Sequence, residues 1–492
     1  MSMNNPLPPT TSRASANSLS SPRRIDVAAQ WHSLAGACSL IVLSVVTGAA
    51  VAGSYQLPLV ALAATVPLAV FAWAYPRLFG IALVAMLLVP YTWSPTIRSA
   101  PTPPIVLFAL PGGLAAAVAL TFKGRLRLCI LDYLVIAIFI SLLSSEYATV
   151  AGGILGTHSL SHLEVEVLLI PYLAFRLIFT AWPQAIPTLL GALMMTGAAL
   201  SLFAVYEELH RATPFATSGL NNPLLVQWER NYPRAGGVRA QAMMGHPIAL
   251  GSFLLIPLVY AFGQRRWRLF AVLALGEALT LSRGPYVAAI AALLLYSVLT
   301  RRVGRLGVLI AVVGALALFV GPVRDSVTNS FQTGTAENAN ADYRSTLLST
   351  SIDSLTLWGK PAGETTELYS GSQTTLSDVT SELALMSGRQ GVAGLLIWLG
   401  FLAAFAYIIR EAKARRDSIL LLLGTALIGE WVALLSVALI TSFQDAFWLT
   451  VAMAAARLSQ RIGPPDKQQA MALDRLDGAE NKPSAVTVAL PV

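Results

Sequence analysis

Cysteine, histidine and charge are all scarce in this chain. Only Cys38 and Cys129 occur among 492 residues. Both sit in apolar context, which argues against a disulfide framework or a cysteine-built metal site. Of the five histidines, His158 and His162 stand four apart beside Glu164 and Glu166. No third ligand follows in an HExxH-like order, so no metal and no cofactor are expected. Charged residues make up 12% of the chain, about half the ~25% of an ordinary soluble domain. The net charge of +8 is not a nucleic-acid signal, because most basic residues flank apolar runs. No internal repeat is present, nor a pair of Gly/Pro-broken spans in matching halves, which argues weakly against transport.

What is abundant is apolar sequence, 55% of all residues. Runs of roughly 18 or more apolar residues recur, each long enough to cross a ~30 Å hydrocarbon core. The expected fold is an all-α polytopic integral membrane protein with about 12–14 transmembrane helices and a large extracytoplasmic loop. Expected spans lie near 34–53, 56–75, 78–95, 105–122, 128–144, 166–182, 185–205, 242–262, 269–282, 284–300, 306–321, 391–409, 418–440 and 444–459. The element at 269–282 is short, and either tilts or forms a hairpin with 284–300.

Residues 1–30 and 461–492 read as disordered cytoplasmic tails around a helical domain at 31–460. With the N-terminus inside, Arg77, Lys123, Arg125, Arg127, Arg265, Arg266, Arg268, Arg301, Arg302, Arg305, Arg410, Lys413, Arg415 and Arg416 all fall on the cytoplasmic side. That is the bias that orients membrane helices. Two outer loops stand out by length, about 206–241 and 322–390.

The remaining arginines lie where topology alone would avoid positive charge. Arg230, Arg234 and Arg239 cluster before the apolar run at 242, Arg239 opening the stretch RAQAMMGHP. Gly236, Gly237, Gly245 and Pro247 imply a shaped turn there. Guanidinium groups bind phosphate oxygens bidentately; a basic loop attracted to lipid headgroups is the alternative. Arg283 stands between two apolar runs in TLSRGPY. Ser282 is placed to hydrogen-bond beside it, and Gly284-Pro285 is expected to make a tight corner. An arginine at membrane depth faces a water-filled cavity or a partner, or snorkels from a helix end. His246 suits either acid/base chemistry or capping of the helix that Pro247 opens.

Four further ionisable residues fall inside spans. Asp132 reads as structural, and Arg176 is expected to pair with Glu277 or Glu430. In the larger loop Arg344 opens an amphipathic stretch. Asp378 and Glu382, four apart, present either a general base or an acidic helix start.

These motifs, in this order and placement, resemble those of the O-antigen ligase and Wzy-type polysaccharide polymerase superfamily. RAQAMMGHPIALGSFL at 239–254 is similar to that family's arginine-to-His-Pro motif, with Ala242 where Gly is common and Ile248 where Asn is common. TLSRG at 280–284 is similar to its Ser-Arg-Gly element. The long loop before the final spans, with Arg344 and with GVAG at 391–394, matches the family's largest periplasmic loop.

The resemblance implies a metal-independent, inverting membrane glycosyltransferase in the plasma (cell inner) membrane. Its substrate would be an undecaprenyl-diphosphate-linked oligosaccharide, and flippase and chain-length regulator proteins would be its partners. Arg239, Arg283, Arg344, Arg234 and Ser282 would hold the diphosphate and its sugar, and Asp378, Glu382 and His246 would carry proton transfer. Ligases of the family have a His shortly before the last-loop glycines; residues 376–391 have none. That favours a polymerase over a ligase, and a small-anion transporter is the expectation of another class.

Overall fold

The computed structural model of the chain describes residues 57–91, 103–123, 127–151, 169–214, 237–301, 382–435 and 441–460, with isolated positions between them. Both tails, the span expected at 34–53, and most of the span at 306–321 and of the two long loops lie outside the described residues.

What is described is helical. The helices are α1 (Leu57–Ala74), α2 (Pro76–Ala85), α3 (Pro104–Lys123), α4 (Ile130–Ala151), α5 (Ile170–Ala181) and α6 (Ile186–His210). They continue with α7 (Pro247–Gly263), α8 (Trp267–Leu279), α9 (Arg283–Leu299), α10 (Glu382–Arg415), α11 (Ser418–Leu434) and α12 (Thr441–Ser459). Two two-residue antiparallel ladders tie loops: β1 (Thr96–Ile97) with β2 (Ala100–Pro101), and β3 (Pro233–Arg234) with β4 (Gly237–Val238). Three stretches are long and apolar enough to cross a membrane: Pro104–Phe122, Pro183–His210 and Gln390–Arg415.

The core forms around α7, which packs against α6, α8, α9, α11 and α12. Its sequence PIALGSFLLIPLVYAFG is apolar on every face, and all but Ile248, Tyr260 and Gly263 are buried. A helix without a polar face is stable only when surrounded. Outer helices differ. On α3, Leu110, Leu114, Val118 and Phe122 recur every fourth residue and are exposed; on α9, Val287, Ile290, Leu294 and Val298 recur at three- and four-residue intervals and are exposed too. Each set forms one apolar stripe facing away from the bundle.

One end of the bundle is fastened by ion pairs. Arg176 on α5 is buried, and its Nε donates to Asp132 Oδ1 at 2.8 Å and its Nη2 to Oδ2 at 3.0 Å. The same guanidinium donates to the Arg127 carbonyl and to Ser459 Oγ, and Tyr172 donates to Asp132 at 2.7 Å. The expected pairing of Arg176 with Glu277 or Glu430 is therefore wrong: Asp132, at the start of the neighbouring α4, supplies both oxygens in fork geometry. Nearby, Asp417 caps α11 by accepting from the Ile419 and Leu420 N–H groups, and Arg457 of α12 donates to it at 2.7 Å.

At the opposite end, α6 and α8 finish and α7 and α9 begin. Arg265, Arg266, Arg268, Arg301, Arg410, Lys413, Arg415 and Arg416 all lie toward the Asp417 end, whereas Arg239 and Arg283 lie at the other.

Removing one member of the Asp132–Arg176 pair leaves a buried charge uncompensated. Asp132→Asn or Arg176→Gln is expected to cost about 3–5 kcal/mol, whereas an apolar replacement of both, Asp132→Leu with Arg176→Met, costs much less. Thermal unfolding of the solubilised variants gives the order.

Candidate functional site

Two segments some forty residues apart meet at the end where α7 and α9 begin. After α8 ends at Leu279, the chain turns through Thr280, Leu281 and Ser282 into α9. Leu281 is buried and holds φ +49°, a left-handed conformation unfavourable for a branched residue. The corner is thus Thr280–Ser282, not the expected Gly284-Pro285, which lie in the first turn of α9.

The preceding segment docks on this corner. Ala240 N–H donates to the Leu279 carbonyl at 3.0 Å. The Arg239 guanidinium donates from Nε to the Thr280 carbonyl at 3.1 Å and from Nη2 to Ser282 Oγ at 2.7 Å. Ser282 in turn donates to the Thr280 carbonyl at 3.1 Å, so its hydroxyl faces Arg239 and makes no side-chain cap to α9. Arg239 is half-buried and Arg283 exposed. One cation is therefore held by a helix C-terminus, whose carbonyls favour positive charge. The other stands at a helix N-terminus, whose N–H groups favour anions.

Between Arg239 and α7 the chain makes a 3-10 turn, Ala242–Met244, then Gly245 at φ +76° and His246. Glu207, buried near the end of α6, holds this turn: its Oε2 accepts from the Gln241 and Ala242 N–H groups, both at 2.9 Å. His246 is extended, and its Nδ1 accepts the Ile248 N–H at 3.1 Å. That nitrogen is therefore unprotonated and in use as a helix cap, one of the two roles open to His246 from the sequence. It also lies within the field of Arg239.

The first turns of α7 and α9 touch. A Cβ on Gly251 would stand 2.9 Å from Pro285 Cβ and 3.2 Å from Thr280 Oγ1. Two helix N-termini and two arginines thus share one end of the bundle, an arrangement able to hold an anion with more than one charge.

The sequence reading missed two buried carboxylates here. Glu207 passed as a loop residue because it lies in YEELH at the edge of an apolar run. Asp445, on α12, is 2% exposed and lies within electrostatic reach of Tyr91, whose ring packs over Gly245. Its signal was an acidic residue within the apolar stretch TSFQDAFWLTV.

Of the other expected site residues, Arg230, Arg344 and Asp378 lie outside the described residues, as do His158 and His162. Arg234 and Glu382 are described in backbone only, in β3 and at the start of α10. Helix α10 breaks at Gly391 (φ +61°, ψ −146°). There the freed Val392 and Ala393 N–H groups donate to the carbonyls of Thr356 and Leu357, so the GVAG stretch is where residues 356–359 dock. A side chain at 391 would meet the Thr356 carbonyl.

Ala242 holds φ +47°, which costs an L residue roughly 1–2 kcal/mol. Ala242→Gly is expected to stabilise the protein by about 1 kcal/mol after the added chain entropy of glycine, measurable as a raised thermal midpoint. Compared with known proteins, the chain matches no protein-family model and no curated protein.

Proposed function

We propose that the chain is a polytopic plasma-membrane glycosyltransferase that polymerises lipid-linked oligosaccharide repeat units at the outer face. The observation that carries this reading is the meeting of Arg239 with the Thr280–Ser282 corner, which joins in space the two motifs that resemble the polymerase and ligase superfamily. The membrane setting is supported by the three long apolar helices and by the exposed apolar stripes on α3 and α9. Such stripes fit lipid and are poorly tolerated in water. The basic residues at the Asp417 end support a cytoplasmic position for that end, leaving the arginine site outside.

In this reading Arg239 and Arg283 bind the diphosphate of an undecaprenyl-linked donor. The acceptor sugar hydroxyl loses its proton to a carboxylate and its oxygen bonds to the donor anomeric carbon. The bond from that carbon to the diphosphate oxygen breaks, and its electron pair leaves with the diphosphate. Charge grows on that oxygen as the bond breaks, and preorganised guanidinium groups and helix N-termini stabilise the growth. Glu207 and Ser282 keep Arg239 in place, and His246 caps the helix beside it. Asp378 or Glu382 serves as the base, and Arg344 and Arg234 hold sugar or phosphate from the loops. The chain works with the bilayer, and with flippase and chain-length regulator proteins.

The test is the size distribution of surface polysaccharide in a deletion strain complemented with variants. Arg239→Ala and Arg283→Ala are each expected to abolish long chains, leaving single repeat units, with the protein still present in the membrane. Normal polymer from either variant rejects the site. Long polymer stranded on its lipid carrier indicates a ligase, and an unchanged distribution indicates a transporter. Asp378→Asn is expected to lower activity partially and to alter its pH profile; an unchanged profile dismisses Asp378 as the base.

A further inference from the structure

A short piece of the larger loop presents three large apolar side chains to the outside. Ile352, Leu357 and Trp358 are 60%, 62% and 59% exposed. Tryptophan is on average a well-buried residue. A single exposed apolar side chain needs no explanation, but three in so short a piece mark a contact surface.

The position of this piece is fixed by main-chain bonds. The Val392 and Ala393 N–H groups donate to the Thr356 and Leu357 carbonyls at 3.0 and 3.3 Å. Gly391 at φ +61° and Gly359 at φ +82° meet beside these bonds. A side chain at 391 would collide with both the Thr356 carbonyl and the Gly359 nitrogen. Leu357 and Trp358 are thus held where α10 resumes after its break.

That point has a definite depth. From Val392 to Arg410 the helix rises roughly 27 Å at ~1.5 Å per residue, close to the ~30 Å of a hydrocarbon core. Gln390–Arg415 is one of the stretches long and apolar enough to cross a membrane. At its far end the Arg410 guanidinium stands 5.1 Å from the centre of the Tyr407 ring, and Lys413 and Arg415 follow. A basic and aromatic edge of this kind suits a membrane surface. Between the two ends Leu396, Leu399, Ala403 and Ala406 recur at three- and four-residue intervals and are exposed, so one face of α10 points away from the bundle. Ala393, which holds the Leu357 carbonyl, lies three residues before that stripe begins. The turn at Leu357–Trp358 therefore tops the stripe, about one hydrocarbon thickness from Arg410.

We propose that the Leu357–Trp358 turn is a membrane-surface anchor. It inserts where lipid headgroups meet acyl chains, at the end of α10 opposite Arg410, and ties the larger loop to the bilayer. A tryptophan suits that level because its ring is apolar while its indole N–H is met by water or headgroups. Lipid is the occupant because the turn continues the exposed apolar face of a span. The proposal rests on the membrane setting of the reading above and not on its reaction.

The test uses the full chain in lipid nanodiscs, with Cys38→Ala and Cys129→Ala and one new cysteine carrying an environment-sensitive nitrobenzoxadiazole label. The new cysteine is Leu357→Cys, which leaves Trp358 in place, or Leu399→Cys as a reference within the stripe. The label at 357 is expected to be quenched several-fold more by lipid spin-labelled high on the acyl chain than by lipid spin-labelled near the chain end. At 399 the preference falls or reverses. Adding Trp358→Glu is expected to raise iodide quenching at 357 several-fold, and Trp358→Tyr to restore protection. A label at 357 as open to iodide as the free dye in buffer, and untouched by either lipid, overturns the proposal. So does a label shielded from iodide and from both lipids, because another protein surface then covers the turn. Protection at 357 that ignores Trp358→Glu also overturns it. If the label at 399 is quenched by lipid and that at 357 is not, the anchor falls alone; if neither is quenched, the membrane setting falls with it. Polymer formation is not read, so either result leaves the glycosyl-transfer test independent.

Discussion

Arg239 joins the two halves of the candidate site. Its guanidinium spans the Thr280 carbonyl and the Ser282 hydroxyl, so the chain before α7 and the corner between α8 and α9 become one surface. The rest of that end follows from this clasp. Glu207 fixes the turn that leaves Arg239, Gly245 lets the chain reverse, and His246 starts α7. Because α7 is the helix every neighbour packs on, its starting point sets the position of the first turn of α9 and of Arg283.

The two ends of the bundle are held by different physics. At the Asp417 end, charge pairs with charge through Asp132–Arg176 and Asp417–Arg457. At the arginine end, the buried Glu207 carboxylate meets main-chain N–H groups, and the guanidinium of Arg239 is oriented by a main-chain carbonyl and a hydroxyl. Residues at positive φ, Ala242 and Leu281, stand in both turns of this end, as Arg265, Arg301 and Arg416 do in turns of the other.

Much of the helical frame was legible because apolar run length is a one-dimensional property. The run at 284–300 became Arg283–Leu299, that at 105–122 became Pro104–Lys123, and the doubtful element at 269–282 became Trp267–Leu279. Arg239, Ser282 and Arg283 were legible as a group because their residue types are odd for their place. Pairing was not legible. Arg176 and Asp132 are 44 positions apart, and only their bonds in the folded chain show that Asp132, not Glu277 or Glu430, is the partner. Glu207 and Asp445 escaped because an acidic residue at the edge of an apolar run reads the same whether it is solvated or buried.

The bonds of Arg239 and Glu207 end largely on the peptide backbone: the Thr280 carbonyl, and the N–H groups of Gln241 and Ala242. A carbonyl or an amide is supplied by almost any amino acid. Positions 241 and 280 are therefore free, as far as these bonds go, to drift in sequence while the geometry stays, whereas Arg239, Glu207, Ser282, Gly245, His246 and Pro247 are tied to a residue type. An architecture of this kind writes a sparse signature, a few letters scattered through interchangeable apolar text, and related chains would share its shape long after their alignments had faded.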